Sequence, residues 1–322
     1  MNYKPIVIVA GEPNSIFLEI FLKVLKKKKF KSPIILIASL RLLKLQMKHL
    51  RVFKKIKLLE VKKLKQYKLD NKVINLVNIE YNTQKAFEKI SSKSNKYIKN
   101  SFETGLKIMK NGMTKKFING PISKKFFLKK KFLGITEYLA YSLDIKKFAM
   151  LIYNKELSVC PITTHLPLKY ISKEIDKKKI KEKIILINNF FKKNMGFTPK
   201  MAITGLNPHC ESIDKYDEDL KIIKPVVKTL KKQKFKIDGP FPADTIFLKK
   251  NRNKIDIIIG MYHDQVLTPI KTIYEHDAIN ITLGLPFIRV SPDHGPNEKM
   301  IGKNISNPIS LFNSINFLES LK

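Results

Sequence analysis

Residues 5–38 read PIVIVAGEPNSIFLEIFLKVLKKKKFKSPIILIA. Residues 5–10 are almost wholly apolar and lead into a Gly-Glu-Pro turn, which predicts a buried β-strand. Apolar side chains recur at helical spacing over 16–28, and 33–38 repeat the apolar, β-rich pattern. A strand, a helix and a second strand in this order indicate an α/β protein with parallel strands.

The alternation of short β-rich runs with longer helical runs continues along the chain and predicts a largely parallel sheet. A helix is expected over 83–111, where apolar residues such as Ile98 and Phe102 recur at helical spacing. Pro225 should kink or break a second helix expected over 216–232. Further strands are expected over 116–119, 149–153, 157–163, 201–206, 256–261 and 279–283.

The chain has 322 residues, and with about 150 residues per domain as a soft prior we expect two α/β domains. We place the first over 1–130 with 300–322 and the second over 131–299. The lysine-rich stretch 44–70 is expected to be a surface excursion. No run reaches the roughly 18 apolar residues of a membrane span, so no membrane partner is expected. Two cysteines cannot form a disulfide framework, which favours a reducing cytoplasm.

The charge is strongly basic, with 63 Lys and Arg against 27 Asp and Glu and a net charge of +36. Such a surplus could serve a nucleic acid or an anionic membrane. Proteins that grip phosphates usually use arginine and interleaved aromatic residues, whereas this chain scatters its lysines. We therefore expect a solvated lysine coat and no specific nucleic-acid partner. The arginines are Arg41, Arg51, Arg252 and Arg289.

In the second half, polar residues stand in short loops directly after predicted strands, which is where α/β proteins carry their sites. Three of these loops present His165, His209 and His263, which could converge on one divalent cation. Their wide separation matches no local metal motif, so the alternative of ordinary hydrogen-bonded surface histidines stays open. The loops are 163–167, 205–209, 239–245, 262–265 and 289–295.

These loops, together with further motifs, resemble the 4-hydroxythreonine-4-phosphate dehydrogenase family of pyridoxal phosphate biosynthesis from end to end. Their order and spacing make the resemblance specific. The further motifs are Gly-Glu-Pro at 11–13, Asn-Gly-Pro-Ile-Ser-Lys at 119–124, Gly134 with Thr-Glu-Tyr-Leu-Ala at 136–140, and Asn-Ile-Thr-Leu-Gly-Leu-Pro-Phe-Ile-Arg at 280–289.

The resemblance implies a two-domain fold similar to isocitrate and isopropylmalate dehydrogenases, with the active site in the interdomain cleft. It also implies a homodimer that uses NAD, or alternatively NADP. The implied divalent metal is zinc, with magnesium and cobalt as alternatives. No Gly-x-Gly-x-x-Gly follows a predicted strand, so the sequence assigns no residue to the cofactor.

The resemblance further implies which residues form the site. The metal ligands are His165, His209 and His263, with His263 contributed across the dimer interface. Apart from the resemblance, Asp244 and Asp264 at predicted strand ends are candidate catalytic residues, as a proton acceptor or as partners of the histidines, and helix N-caps are the alternative. The substrate contacts are Thr136, Lys271, Asn280 and Arg289.

The implied reaction oxidises the C3 hydroxyl of 4-phosphooxy-L-threonine, and the β-keto acid then loses CO₂ to give 3-amino-2-oxopropyl phosphate. Lys271 and Arg289 would meet the phosphate or carboxylate, although either could be a solvated cation. Ile135 stands where the family has histidine, which removes a donor to the substrate. Ile135 keeps a paralogue acting on threonate or erythronate phosphate open as an alternative. The basic charge keeps a second alternative open, a non-catalytic protein that associates with nucleic acid.

Overall fold

The computed structural model describes residues 3–27, 29–129, 131–213, 215–275 and 277–321. The chain divides into two compact units, a first unit of residues 1–135 with 286–322 and a second unit of residues 136–285. Lys28, at the end of the first predicted helix, lies outside the described residues.

The strands of the described residues alternate with helices, as the repeated apolar runs predict. The strands are β1 Ile6–Val9, β2 Ile34–Ala38, β3 Ile56–Leu58, β4 Ile74–Asn78, β5 Lys116–Asn119, β6 Ala149–Tyr153, β7 Ser158–Pro161, β8 Met201–Thr204, β9 Ile237–Phe241, β10 Ile257–Gly260, β11 Ile279–Leu283 and β12 Ile288–Pro292.

The helices range from single turns to α3, which has 16 residues. None of the helices in the described residues is long and apolar enough to cross a membrane. The helices are α1 Phe17–Lys27, α2 Leu40–His49, α3 Asn95–Lys110, α4 Ile135–Ser142, α5 Ile171–Glu174, α6 Lys177–Phe190, α7 Lys224–Lys232, α8 Ala243–Ile246, α9 Lys249–Arg252, α10 His263–Tyr274 and α11 Ile309–Ser320.

In the first unit the strand order is β3-β4-β2-β1-β5-β12, and every neighbouring pair is parallel. Strands β1 and β2 are buried along their whole length, which explains their continuous apolar sequence. Phe17 and Phe21 of α1 and Phe102 of α3 are almost fully buried. Phe17 and Phe21 are about one helical turn apart, so the apolar face of α1 lies in the buried core of the first unit.

In the second unit the order is β11-β6-β7-β10-β8-β9. The pairs β11–β6 and β6–β7 are antiparallel, whereas β7–β10, β10–β8 and β8–β9 are parallel. Val159, Ile258, Val266 and Leu267 belong to one buried cluster that packs α10 against the sheet. The expected largely parallel α/β fold is therefore confirmed in each unit.

The second boundary between the units differs from the expected one at 299/300. Strand β12 pairs in parallel with β5, with Ile288 opposite Lys116, and this pairing places 288–292 in the first unit. The chain therefore returns to the first unit after residue 285. Arg289, which was expected in the second domain, lies in the first unit.

The helix expected over 83–111 begins only at Asn95. A 3₁₀ turn, Ser92–Ser94, precedes it, and residues 83–91 are irregular because buried polar side chains bind their backbone. The Glu88 amide donates to Asn14 Oδ1 at 3.0 Å, and Gln46 Nε2 donates to the Ala86 carbonyl at 2.9 Å. The prediction for this segment was wrong because tertiary hydrogen bonds override its helical pattern.

Two further expectations concern irregular segments. Pro225 lies in the first turn of α7, and a π-helical turn, Asp219–Ile223, runs directly into α7, so the helical stretch is irregular before Pro225 but is not broken there. The stretch 44–70 is more than a surface excursion, because its residues form the edge strand β3.

Candidate active site

The carboxyl ends of β7 and β10 lie side by side, because Pro161 pairs with Gly260 in a parallel register. Beyond these ends, Thr163 donates to the Met261 carbonyl through its amide at 3.0 Å and its hydroxyl at 2.8 Å. His165 follows one strand end and His263 the other. Their ring centroids are 5.6 Å apart, so the structure brings these two predicted metal ligands together.

One nitrogen of the His165 ring is available to bind a metal ion. Its Nδ1 atom is buried and lacks a hydrogen-bond partner among the described residues. The nearest carboxylate oxygen paired with it, Glu137 Oε1, is 3.6 Å away, which is too long for a hydrogen bond. Imidazole nitrogen is a preferred ligand of zinc and other divalent transition metals, so the donor chemistry fits such a cation.

Glu137 adds a negative charge beside His165, a role that its sequence motif did not predict. Its Oε1 accepts a hydrogen bond from the Thr164 hydroxyl at 3.0 Å. Burial raises the pKa of Glu137, but interactions with His165 and Thr164 outweigh burial and hold the pKa below its usual value. Glu137 is therefore an anion at neutral pH.

The ring of His263 is oriented by its neighbour in the chain. His263 Nδ1 lies 2.7 Å from Asp264 Oδ1. This contact favours the tautomer whose Nδ1 carries the proton, which leaves the Nε2 lone pair available to a cation.

Neither candidate catalytic aspartate is a helix N-cap. The N-cap of α8 is Pro242 and that of α10 is Tyr262, so Asp244 and Asp264 each lie within a first turn. Asp244 is exposed to solvent. Asp264 is also exposed and contacts His263, which agrees with a partner role for it.

His209 follows β8 and lies on the turn Pro208–Cys210. It is exposed and has a left-handed backbone, with φ of 57°. Within the described residues, no three His, Cys, Asp or Glu side chains form a group that could hold a metal ion. One chain therefore brings His165 and His263 together, but His209 does not complete a cluster with them.

Gln265 connects the strand ends that carry His209 and His263. Its Oε1 accepts hydrogen bonds from the Met261 amide at 2.7 Å and the Thr204 hydroxyl at 2.8 Å, and its Nε2 donates to the Gly205 carbonyl at 2.8 Å. Gln265 belongs to the loop 262–265, but its role could not be predicted from the sequence, because its contacts with Thr204 and Gly205 span about 60 residues of chain.

Three predicted substrate contacts lie in the second unit. The Thr136 hydroxyl is 3.4 Å from that of Thr282 on β11. Asn280, on the same strand, has a buried Oδ1 atom that lacks a hydrogen-bond partner among the described residues. Lys271 of α10 is half-buried, and burial lowers the pKa of its ammonium group.

The fourth predicted contact, Arg289, lies on β12 in the first unit. Its side chain is completely buried, and its Nε donates to Asn119 Oδ1 at 2.7 Å. Asn119 belongs to the Asn-Gly-Pro motif at the end of β5. Because a guanidinium group keeps its charge at any ordinary pH, this pair is a permanent buried cation beside a neutral amide.

Comparison with known proteins identifies the family. The family model of pyridoxal phosphate biosynthetic protein PdxA matches residues 29–318. The chain belongs to this family. A 4-hydroxythreonine-4-phosphate dehydrogenase of Sulfurihydrogenibium sp. (strain YO3AOP1) is 38% identical over 322 residues, which cover 98% of this chain and 97% of that protein. The family expected from the sequence motifs is confirmed.

A second curated relative carries a different name. A D-threonate 4-phosphate dehydrogenase of Pectobacterium atrosepticum is 37% identical over 164 residues, half of each chain.

Solved structures support the fold. The 4-hydroxythreonine-4-phosphate dehydrogenase of Klebsiella pneumoniae superposes with a TM-score of 0.84 at 24% identity, covering 98% of each chain. Isocitrate dehydrogenase of Methylococcus capsulatus gives a TM-score of 0.51 at 8% identity, covering 96% of this chain and 83% of that one. The expected similarity to the isocitrate dehydrogenase fold is confirmed.

Proposed function

We propose that this protein is an NAD-dependent 4-hydroxythreonine-4-phosphate dehydrogenase of pyridoxal 5'-phosphate biosynthesis. It converts 4-phosphooxy-L-threonine to 3-amino-2-oxopropyl phosphate and CO₂. Family membership over most of the chain supports this reaction. The structural observation that carries it is the pair of histidine rings 5.6 Å apart at neighbouring strand ends.

His165, His209 and His263 are the proposed ligands of a divalent cation, with zinc as the first choice and magnesium or cobalt as alternatives. When bound, NAD or NADP would supply the hydride acceptor, and the cation would supply a Lewis acid for the reacting oxygen. The chain prepares the ligands in two ways. Asp264 orients the His263 ring, and the Glu137 carboxylate places negative charge beside His165.

Two candidate aspartates could take the proton that leaves the C3 hydroxyl. Asp244 is exposed and therefore free to exchange a proton with water. Asp264 already contacts His263 Nδ1, so we assign it the orienting role and assign proton transfer to Asp244.

The proposed substrate contacts divide by charge. Lys271 and Arg289 are cations suited to the phosphate and carboxylate groups of the substrate. Asn280 supplies a buried acceptor, Oδ1, whose unsatisfied state costs about 1–3 kcal/mol. A donor on the substrate, such as its ammonium group or a hydroxyl, would satisfy this atom.

We also propose a homodimer with the metal site shared between chains. The described residues of one chain bring His165 and His263 together without His209, so we assign His209, and not His263 as the resemblance implied, to the partner chain. Exposed apolar side chains follow the same strands, namely Leu168 after β7 and Ile213 and Tyr216 after β8. A second copy would cover such side chains. We propose cytoplasmic activity on a small phosphorylated substrate, without a specific nucleic-acid or membrane partner.

A second function in the same family is oxidation of threonate or erythronate phosphate. The relative named D-threonate 4-phosphate dehydrogenase favours it, and so does Ile135, which offers no hydrogen bond to an amino acid substrate. An enzyme with this second function would share the fold and differ in the residues that bind the substrate.

The test is NADH formation by the purified protein with 4-phosphooxy-L-threonine, D-threonate 4-phosphate and D-erythronate 4-phosphate, each with added zinc. The proposal predicts the highest kcat/KM for 4-phosphooxy-L-threonine. Preference for either sugar-acid phosphate would establish the second function. Activity with none of them, together with DNA binding that weakens steeply as salt is raised, would instead support the basic nucleic-acid-associating protein.

A further inference from the structure

The loop that carries His209 has an unusual backbone. His209 and Cys210 are consecutive, neither is glycine, and both are left-handed, with φ of 57° and 64°. Side chains with a Cβ rarely adopt this region, so two such residues in succession persist only when the surrounding structure holds them. The sequence from Gly205 to Glu211 has no regular structure of its own beyond the short turn Pro208–Cys210.

The carboxylate of Asp219 holds the first half of this loop. Asp219 is completely buried at the start of the π-helical turn Asp219–Ile223. Its Oδ1 accepts from the Leu206 amide at 2.8 Å, and its Oδ2 accepts from the Asn207 amide at 3.0 Å and from Asn207 Nδ2 at 3.1 Å. Three hydrogen bonds to a charged acceptor compensate its burial and fix the two residues that precede Pro208 and His209.

Gly205 shows how closely this carboxylate and the loop are packed. A Cβ atom at position 205 would lie 2.7 Å from Asp219 Oδ1 and 2.8 Å from Cys210 Sγ. Glycine is therefore required here for close approach of the two groups. The buried thiol of Cys210 thus packs at the point where the carboxylate binds the chain.

We propose that Asp219 is the positioning residue of His209. Its hydrogen bonds to Leu206 and Asn207, together with the packing of Cys210, hold the loop in the left-handed conformation that presents the His209 imidazole. This inference rests on the proposed role of His209 as a metal ligand. Asp219 acts through the loop and does not itself contact the cation or the substrate.

Asp219→Asn is the direct test, because it keeps the shape but replaces one acceptor oxygen by an NH₂ group that faces backbone N–H donors. Asn207→Ala is a milder second variant, which keeps the backbone hydrogen bonds to Asp219 and removes the side-chain hydrogen bonds to Asp219 and to Glu218 Oε2. The matched control is Asp176→Asn, which alters the carboxylate N-cap of α6 in the same unit, where the carboxylate accepts from the Lys179 amide. Zinc affinity is measured by competition with a chromophoric chelator, and the visible spectrum of the cobalt-loaded protein reports the ligand geometry.

For folded Asp219→Asn we expect the zinc Kd to rise about tenfold to a hundredfold and the cobalt spectrum to change, as for loss of a residue that orients a ligand. Asn207→Ala should raise the Kd several-fold, and Asp176→Asn should leave Kd and spectrum unchanged. The inference is overturned if Asn207→Ala, and Asp219→Asn where it folds, bind as the wild type does. If His209→Ala binds zinc as tightly as the wild type, the proposed metal site itself fails.

Discussion

The imidazole rings of His165 and His263 lie 5.6 Å apart, at the carboxyl ends of two neighbouring parallel strands. Nearly a hundred residues separate them in sequence, and the register of β7 and β10 brings them together. His263 is oriented by Asp264, whereas His165 Nδ1 is buried without a partner among the described residues. This pair is the structural basis of the proposed metal site.

The first prediction concerns metal binding. His165→Ala, His209→Ala and His263→Ala should each lose bound zinc, because each removes one of three ligands. Metal content by mass spectrometry and turnover before and after chelation are the measurements. His49→Ala is the control, since His49 contacts Phe87 and the Gly302 carbonyl in the first unit. Full turnover in metal-free buffer would refute the metal requirement.

The second prediction concerns the shared site. Homodimers of His165→Ala and of His209→Ala should both be inactive. A heterodimer of the two variants should recover about one intact site, because the His165 and His263 pair of one chain then meets the native His209 of the other chain. Activity is measured after subunit exchange has been demonstrated with differently tagged chains. If exchanged dimers stay inactive, His209 is not supplied across the interface and the shared site is refuted.

The third prediction concerns Ile135, the first residue of α4, next to Thr136. A hydrogen bond to a charged group is worth about 1.5–3 kcal/mol. We propose that Lys124 or Lys125, in the π-helical turn Lys124–Leu128, supplies a comparable bond to the substrate. Ile135→His should therefore change KM for 4-phosphooxy-L-threonine by less than about tenfold. Ile135→Leu is the control. A wild type that ignores this substrate, with a histidine variant that accepts it, would establish the second function.

The fourth prediction concerns stability and pH. Glu12 is buried, receives hydrogen bonds from Ser94 Oγ at 3.0 Å and the Asn14 amide at 3.3 Å, and has its pKa raised by burial from 4.5 to about 7. At pH values between the unfolded pKa of 4.5 and the folded pKa of about 7, the folded state therefore binds more protons than the unfolded state. The free energy of unfolding should therefore fall by about 2 kcal/mol from pH 5 to pH 8 through this group.

Glu12→Gln isolates this effect, because glutamine keeps the shape without the titration. The wild type should lose melting temperature relative to Glu12→Gln as pH rises from 5 to 8. Glu103→Gln, at an exposed position on α3, should follow the wild type. Parallel curves for the wild type and Glu12→Gln would contradict the raised pKa.

The sequence predicted those features that depend on local pattern. Strands β1, β2 and β11 follow from short apolar runs, and the motifs after strands identified the histidines and the family. The edge strand β3 has mixed polarity and only partly buried residues, so its sequence has no hydrophobic periodicity from which a strand could be predicted. The segment before α3 has a helical sequence pattern, but its backbone is irregular in the folded protein because it forms hydrogen bonds with the side chains of Asn14 and Gln46.

The supporting residues of the site could not be predicted in the same way. Asp219 and Gln265 act through hydrogen bonds to backbone that lies about 12 and 60 residues away, so their roles exist only after the strands have assembled. Glu137 stands in a recognised motif, but its proximity to His165 depends on where α4 packs. The sequence motifs identified the proposed ligands, whereas tertiary contacts determine how the ligand side chains are oriented.

The most direct test of the account is the stoichiometry of one reaction. The zinc-loaded protein is mixed with NAD and 4-phosphooxy-L-threonine, and NADH absorbance is followed together with CO₂ release from substrate labelled at the carboxyl carbon. The account predicts one NADH and one CO₂ per molecule of substrate consumed, with both lost after chelation. Failure to form NADH, or NADH formed equally well without any divalent metal, would contradict it.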